Sequence, residues 1–260
     1  MIILVVFALT LIGPSACIMF IFVISALLLD EIFCNIFERK RYSLTYFIFQ
    51  LLFAAPFVYF NFFNDSFSYN EIFIRIALLV NIALCYYLFA VPFTARPEKL
   101  RVYYWFTILM VFFPMYSLAI VFQQENWQQL FLLLLLVNFG MDTGAWFVGK
   151  NFGKTKLWPE VSPNKTIEGL IGGVVTSVIL GSIMWWNIKG EFSIGASMFF
   201  GVLGVISQIG DLVESKIKRQ FGVKDTSQLI PGHGGVYDRV DSLIFVSPVF
   251  AAALKYLLRG

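Results

Sequence analysis

The chain has 260 residues, of which 59% are hydrophobic and 13% charged, and its mean hydropathy is +0.79. A soluble domain carries about 25% charged residues, so the composition excludes an ordinary soluble globular protein. It predicts an all-α, polytopic membrane protein with about 8–9 transmembrane helices. The net charge of +3 is small, and the placement of the charges is more informative than their total.

The first apolar run covers residues 2–29 and is interrupted at Gly13-Pro14-Ser15. It is long for one membrane span and short for two. One kinked helix and a helix pair with a shortened first member therefore both remain open. The run is preceded by no basic segment and followed by no small-residue cleavage site, so we expect no cleavable signal peptide.

Further apolar runs approach the length of about 20 residues that a helix needs to cross a bilayer. They cover residues 44–63, 72–93, 102–122, 130 to about 149, 167–186, 194–210 and 243–258. We expect one integrated membrane domain, with an N-terminal transmembrane region over residues 1–122 and a C-terminal catalytic region over residues 123–260.

Most of the 19 lysines and arginines lie in alternate connections, within residues 30–41, 94–101, 149–166 and 211–241. The positive-inside rule places such connections on the cytoplasmic side. The short loops are typical of a bacterial protein. We therefore expect a multi-pass protein of the cell inner (cytoplasmic) membrane, with a site that faces the cytoplasm.

Asp142 stands near the end of the apolar run that begins at Leu130. A carboxylate at membrane depth is expensive to bury and usually has a function. The alternative is an interfacial aspartate whose side chain reaches water.

The connection after Asp142 has the composition of an anion site. Lys150, Lys154 and Lys165 offer positive charge, and glycines at positions 149, 153 and 169 leave backbone N–H groups accessible. Ser162 or Asn164 is the expected N-cap of the next helix, whose first turn then holds Glu168, and a helix N-terminus is a natural phosphate cradle. The alternative is a positively charged cytoplasmic loop with ordinary helix caps.

The stretch from Ser207 to Asp241 mixes acids and bases too densely for a bilayer, so we expect a charged, glycine-rich loop there. Asp211 and Glu214 are three positions apart, as are Asp238 and Asp241, and such pairs share one face of a helix. Carboxylates beside lysines fit a divalent cation that bridges protein and phosphate oxygens, and Mg²⁺ is the ion expected.

The same stretch contains His233 between glycines, where the backbone can approach a ligand closely. No cysteine lies near this histidine, so a zinc site is not favoured. Cys17, Cys34 and Cys85 lie in or beside apolar runs without metal-ligand spacing and are expected to be small buried residues.

Three segments of this stretch, SKIKR at 215–219, KD at 224–225 and PGHGGVYDRVD at 231–241, resemble the signature of the phosphatidate cytidylyltransferases, also called CDP-diacylglycerol synthases. The upstream segments DTGAWFVGKNFGKTK and SPNKTIEG resemble the second characteristic block of that family. Together the blocks cover about the C-terminal half of the chain and are far more specific than a lone glycine motif. Trp146 departs from the Tyr or Phe that is usual there. The chain also opens without the family's short basic segment, and Asp30-Glu31 stands where the family tends to place a glutamate.

The resemblance implies the reaction of CTP with phosphatidate to give CDP-diacylglycerol and pyrophosphate, within a multi-helix membrane fold. It also implies Mg²⁺, sometimes with K⁺, and a homodimer in the lipid bilayer, and no nucleic acid is expected. The implied metal ligands are Asp211 and Asp238. The candidate catalytic residues are Asp142, Lys165, Glu168, Glu214, Asp225, His233 and Asp241. The candidate substrate- and phosphate-binding residues, taken from the resemblance and from the basic and glycine-rich loops, are Lys150, Lys154, Ser162, Lys218, Arg219, Lys224, Gly234, Gly235 and Arg239.

Other classes of protein remain as alternatives. A polyprenol kinase or an archaeal-type lipid cytidylyltransferase would use CTP with another lipid, but the full signature argues against both. A transporter would explain an aspartate at membrane depth but not the long mixed-charge stretch. A purely structural membrane protein leaves Asp142 unexplained. The enzyme hypothesis further predicts a polar cavity that opens sideways to lipid.

Overall fold

The computed structural model describes residues 10–64, 68–94, 100–229 and 234–258. Within these ranges, eight helices are long and apolar enough to cross a membrane, as the composition predicts. The helices are α1 (Pro14–Glu31), α2 (Leu44–Val58), α3 (Ser68–Ala90), α4 (Phe106–Val121), α5 (Trp127–Phe152), α6 (Ile167–Lys189), α7 (Ile194–Gln220) and α8 (Tyr237–Leu257). Single π-helical turns extend α1 (Ile32–Ile36) and α2 (Tyr59–Phe63), and a 3₁₀ turn (Arg101–Trp105) precedes α4.

The first span begins at Pro14, which occupies the first turn of α1, where its missing N–H is not needed. Gly13 precedes it with φ of 138°, a conformation that favours glycine, and residues 10–12 are helical before this break. Residues 1–9 lie outside the described part of the chain. The question of one span or two over residues 2–29 therefore stays open.

The charged stretch at 207–241 is mostly helical, so the expectation of a loop over its whole length was wrong. Helix α7 continues to Gln220, and α8 already begins at Tyr237. The helix persists because one face stays buried throughout, including Leu212, Val213 and Gln220. The connecting segment is confined to residues 221–236. Asp211 and Glu214 therefore stand on a rigid helix rather than on a loop.

Helices α5 and α6 make the most extensive helix–helix contact of the described chain, and glycines make it possible. A Cβ at Gly144 would lie 2.2 Å from Oγ1 of Thr176, and one at Gly173 would lie 2.6 Å from the carbonyl oxygen of Met141. Small residues at such spacing let membrane helices approach closely. Gly149 and Gly169 also face each other, so these two glycines serve helix packing, whereas the sequence indicated open anion-binding backbone.

The four basic connections meet at one end of the helix bundle, as their charge pattern predicts. Glu38 pairs with Arg101 at 2.5 Å between Oε1 and a guanidinium nitrogen. The rings of Phe89 and Trp158 lie 5.6 Å apart between centroids, and the Asn35 amide donates to the Thr226 carbonyl at 2.8 Å. The first contact joins the connection after α1 to the turn before α4, the second joins the end of α3 to the segment between α5 and α6, and the third joins the end of α1 to the segment after α7. We call this end of the bundle the charged end.

Lys216 fastens the C-terminus of α3 to α7. Its side chain is 2% exposed, and its ammonium donates to the backbone carbonyls of Tyr87, Leu88 and Val91 at 3.0, 2.7 and 2.5 Å. The last carbonyls of a helix have no partner within the helix, and a cation there also interacts favourably with the helix dipole. This lysine of the resembled signature therefore holds the fold together and is not available to a substrate.

We expect Lys216→Met to lower the stability of the detergent-solubilised protein by about 2–3 kcal/mol, because the helix end loses charge-assisted hydrogen bonds. The loss should be measured as a lower midpoint of thermal unfolding. The matched control is Lys40→Met, which removes an exposed lysine at the same end of the bundle and should leave the midpoint unchanged. Equal midpoints for the two variants would contradict this role for Lys216.

Candidate active site at the charged end

Three carboxylates converge where α7 passes α8. Asp211 and Glu214 lie one turn apart on α7, Asp241 lies on α8, and one oxygen of each falls within 4.8 Å of the others. Gly210 permits the close approach, because a Cβ there would lie 3.0 Å from the backbone oxygen of Asp241. We call Asp211, Glu214 and Asp241 the acidic cluster.

Two lysines neutralise part of this negative charge. Lys165, at the end of a short hairpin, forms an ion pair with Asp211. Lys218 lies 2.7 Å from an oxygen of Glu214 and 2.7 Å from an oxygen of Asp238. The three side chains of this second group are only 12%, 3% and 8% exposed, so its charges are well shielded from solvent. Buried charges of this kind are tolerated because they are paired.

Asp238 lies in the first turn of α8 and is already well supplied with donors. Its Oδ2 accepts from the backbone N–H of Gly235 at 2.7 Å and from that of Thr226 at 3.0 Å. Its Oδ1 accepts from Lys218 at 2.7 Å. Of the two metal ligands that the sequence predicts, Asp211 therefore stands in the acidic cluster, and Asp238 stands beside it behind Lys218. A metal role for Asp238 stays a prediction.

The donor set of the acidic cluster fits a hard divalent cation. It consists of carboxylate oxygens from two helices, and Mg²⁺ is bound in proteins by one or two carboxylates while water or phosphate oxygens complete the octahedron. Histidine and cysteine, the usual zinc ligands, do not occur in the cluster.

Asp142 belongs to the same charged region. It lies within α5, ten residues before the end of the helix, and within electrostatic range of Asp211 and Lys165. One turn away on α5, the buried Asn138 donates to the hydroxyl of Ser242 at 3.0 Å. The polar face of α5 thus points to the junction of α7 and α8. The Asp142 side chain is exposed, so a functional role for it stays a prediction beside the interfacial alternative.

The connection between α5 and α6 is a hairpin, so the expected cap of α6 was wrong. Strands β1 (Lys156–Trp158) and β2 (Ser162–Thr166) pair antiparallel, with Ser162 opposite Trp158. Neither Ser162 nor Asn164 caps the helix, because both are in the strand. Thr166 is the N-cap instead, and its hydroxyl accepts from the Gly169 N–H at 3.1 Å. The hairpin ends where Lys165 reaches Asp211.

Several candidates from this hairpin region do not join the acidic cluster. The Glu168 carboxylate accepts from the backbone N–H groups of Lys154 and Thr155 at 3.1 Å, which fixes the start of the hairpin. The ammonium of Lys150 lies 4.9 Å above the ring of Trp146. Lys150 and Lys154 are exposed. These residues surround the site but do not contact its carboxylates in the described structure.

The remaining candidates lie on the segment between α7 and α8 or at its ends. Arg219, Lys224, Asp225 and Arg239 are exposed, and Arg219 donates to the Val223 carbonyl at 3.2 Å. His233 lies outside the described residues. Gly234 has φ of 80°, and a Cβ there would lie 2.6 Å from Oδ2 of Asp238, so the position favours glycine on both counts. Gly235 contributes the N–H that Asp238 accepts.

Sequence reasoning assigned no site role to Glu31, yet this residue is 3% exposed and its carboxylate holds the start of α8, the helix that carries Asp238. A signal was present, because an acid at the end of a long apolar run is rarely accidental. The partners could not be read from the sequence, since they lie about 195 positions away along the chain.

A cavity of about 670 Å³ lies beside the segment between α7 and α8 and is lined by residues of α1, α2, the connection between these two helices and Ser227–Leu229. Arg41 and Asp30 line it and form a bidentate ion pair at 3.0 and 2.7 Å. This hydrogen-bonded carboxylate raises the pKa of Arg41. The cavity borders Glu31 but not the acidic cluster. A sideways opening from lipid to the acidic cluster therefore stays a prediction.

Comparison with known proteins gives consistent results. The family model described as "Cytidylyltransferase family" matches residues 1–257. A protein of Staphylococcus haemolyticus named phosphatidate cytidylyltransferase is 47% identical over 119 residues, which are 45% of this chain and 46% of that protein. A protein of the same name from Bacillus subtilis is 47% identical over 117 residues, 44% of this chain and 42% of that protein. The matched segment thus spans less than half the length of these curated relatives.

Proposed function

The chain belongs to the cytidylyltransferase family, and we propose that it is a membrane-embedded phosphatidate cytidylyltransferase, which makes CDP-diacylglycerol and pyrophosphate from CTP and phosphatidate. The observation that carries the proposal is the acidic cluster, within 4.8 Å, beside Lys165 and Lys218 at one end of a transmembrane bundle. Family membership and the name of the relatives support the choice of substrates.

In the proposed reaction, a phosphate oxygen of phosphatidate attacks the α-phosphorus of CTP. A new P–O bond forms, and the bond from the α-phosphorus to the oxygen that bridges to the β-phosphorus breaks. Pyrophosphate leaves with that electron pair. Phosphoryl and nucleotidyl transfers of this kind leave little covalent work to the protein, so positioning and charge stabilisation provide most of the catalysis.

The residues of the charged end fit these two tasks. Asp211, Glu214 and Asp241 would hold Mg²⁺, with Asp238 as a further candidate, and the ion would neutralise charge on the phosphates. Lys165, which pairs with Asp211, would meet a phosphate group once a cation binds this carboxylate. Lys218 orients two carboxylates at once, which fixes the geometry of the cluster.

The position of the site also fits a lipid substrate. Asp142 and the acidic cluster lie on helices that cross the membrane, so a phosphatidate headgroup could reach them while its acyl chains remain in the bilayer. We propose that the charged end faces the cytoplasm, where CTP is available, because its connections carry most of the lysines and arginines. A homodimer and K⁺ remain part of the proposal through the resemblance alone.

The proposal is tested with purified protein in detergent, Mg²⁺ and CTP, offered separately with phosphatidate, a polyprenol and an ether-linked archaeal-type lipid. We expect a CDP-lipid product from phosphatidate and much less product from the other two acceptors. Preference for another lipid would overturn the substrate assignment. Transfer of the terminal phosphate of CTP to a lipid would overturn the reaction class.

A further inference from the structure

The carboxylate of Glu31, from the end of α1, lies at the base of the segment between α7 and α8. Its Oε1 accepts from the backbone N–H of Val236 at 2.9 Å and from the hydroxyl of Ser227 at 2.6 Å. Its Oε2 accepts from the backbone N–H of Tyr237 at 2.9 Å and lies 3.1 Å from the hydroxyl of Thr226. Each of the two oxygens therefore faces one backbone N–H and one hydroxyl of its own.

These four partners lie on the two halves of the connection between α7 and α8. Thr226 and Ser227 follow the end of α7 by six and seven residues, whereas Val236 and Tyr237 lie where α8 begins. One buried carboxylate thus ties the first half of the connection to the start of α8. It also stands at the N-terminus of α8, where a negative charge is stabilised by the free N–H groups and by the helix dipole.

The same contacts fix Asp238. The hydroxyl of Thr226 lies 3.1 Å from an oxygen of Glu31 and 3.1 Å from Oδ2 of Asp238. Gly235 lies against both Thr226 and Glu31, since a Cβ at this position would lie 2.1 Å from Oγ1 of Thr226 and 2.6 Å from Oε2 of Glu31. A side chain at position 235 would therefore collide with the hydroxyl and the carboxylate that make these contacts.

We propose that Glu31 is a positioning residue for the reaction. Its carboxylate fixes the first turn of α8, this turn holds Asp238, and Asp238 in turn holds Lys218 beside the acidic cluster. The inference rests on the proposed function for the reaction that it serves. The contacts themselves can be tested without the reaction, because the Glu31 carboxylate holds both halves of the segment between α7 and α8 whatever the protein catalyses. Buried partners of this kind, one contact away from a site, typically change activity 10- to 100-fold when they are replaced.

Two variants separate the charge of Glu31 from its volume. Glu31→Gln keeps the shape of the side chain but turns one acceptor oxygen into an NH₂ donor. A hydroxyl can rotate to accept from this NH₂, but a backbone N–H cannot, so Val236 or Tyr237 must lose its acceptor. Glu31→Asp is one methylene shorter but keeps both acceptor oxygens. A purely packing role predicts that Gln is tolerated better than Asp, whereas the positioning role predicts the opposite.

The experiment measures amide hydrogen exchange of the peptide that contains Val236 and Tyr237, together with kcat and the KM for CTP, in the full-length protein in detergent. For Glu31→Gln we expect faster exchange at these amides and a kcat that falls by about 10-fold or more. The KM should stay within about 3-fold of the wild-type value. Glu31→Asp should recover part of both losses. Glu125→Gln, an exposed change at the opposite end of the bundle, is the control and should match the wild type.

Each other outcome has a definite meaning. Unchanged exchange in Glu31→Gln would overturn the inference, whatever the activity. Faster exchange with normal kcat would show that the contact holds the segment but does not position the site, which also overturns it. If the wild type fails to turn over phosphatidate with CTP, the proposed function fails, and the exchange data still decide whether Glu31 holds the segment.

Discussion

Replacement of Lys218 with methionine is expected to abolish most activity and to destabilise the protein. The ammonium lies 2.7 Å from both Glu214 and Asp238, and the two carboxylates are 3% and 8% exposed. Without the cation, two shielded negative charges face each other. Removal of one partner from a buried ion pair typically destabilises a fold by about 3–5 kcal/mol. We expect a clear fall in the thermal midpoint and a loss of kcat of about 100-fold or more.

Two comparisons make the Lys218 result interpretable. Lys218→Arg keeps the charge and should retain much more stability than Lys218→Met, although the larger guanidinium will not restore full activity. Lys40→Met removes an exposed lysine at the same end and should behave as the wild type. Normal activity and stability in Lys218→Met would contradict the bridging role.

The second large effect is expected for Asp211→Asn. This change keeps the size of the side chain but removes one charge from the acidic cluster and the ion-pair partner of Lys165. We expect kcat/KM to fall about 100-fold or more, and the Mg²⁺ concentration for half-maximal activity to rise, because a neutral amide binds the cation more weakly.

A titration of activity against Mg²⁺ checks this prediction, with folding verified by the thermal midpoint. The control is again Glu125→Gln, which removes an exposed carboxylate far from the cluster and should leave the titration curve unchanged. An Asp211→Asn protein with a wild-type Mg²⁺ curve would remove Asp211 from the metal site. The same titration on Asp238→Asn then decides whether Asp238 is a ligand as well.

The membrane architecture was largely predictable because it depends on local properties of the chain. Apolar runs correctly placed the span over residues 44–63, which consists of α2 and its π-helical turn, and the lysine and arginine pattern placed the basic connections at one end. The C-terminal end of α7 was not predictable from hydropathy, because the last turns of this helix are amphipathic. In these turns Leu212, Val213 and Lys216 are buried while Arg219 is exposed.

The acidic cluster was predictable in its residues but not in its grouping. The spacing of Asp211 with Glu214 placed both on one helix face, and the resemblance favoured Asp211 and Asp238 as a metal pair. The structure groups Asp241 with Asp211 and Glu214, because Gly210 lets α8 approach α7 at that level. Sequence spacing does not report the relative height of two helices.

Two structural roles depend on long-range contacts, whose partners could not be read from the sequence. Lys216 has the spacing of a solvated surface lysine, yet it is buried against the end of α3. The hydrogen-bond partners of Glu31 are Thr226, Val236 and Tyr237, which lie about 200 positions later in the sequence. Contacts between residues this distant in sequence are set by helix packing rather than by any local pattern.

The most direct test of the central claim is the product stoichiometry of the purified wild-type protein in liposomes that contain phosphatidate. With CTP and Mg²⁺ we predict one CDP-diacylglycerol for each pyrophosphate released, and no turnover after the divalent cation is chelated. Release of CDP with a newly phosphorylated lipid would contradict nucleotidyl transfer. Turnover that persists without a divalent cation would contradict the role proposed for Asp211, Glu214 and Asp241.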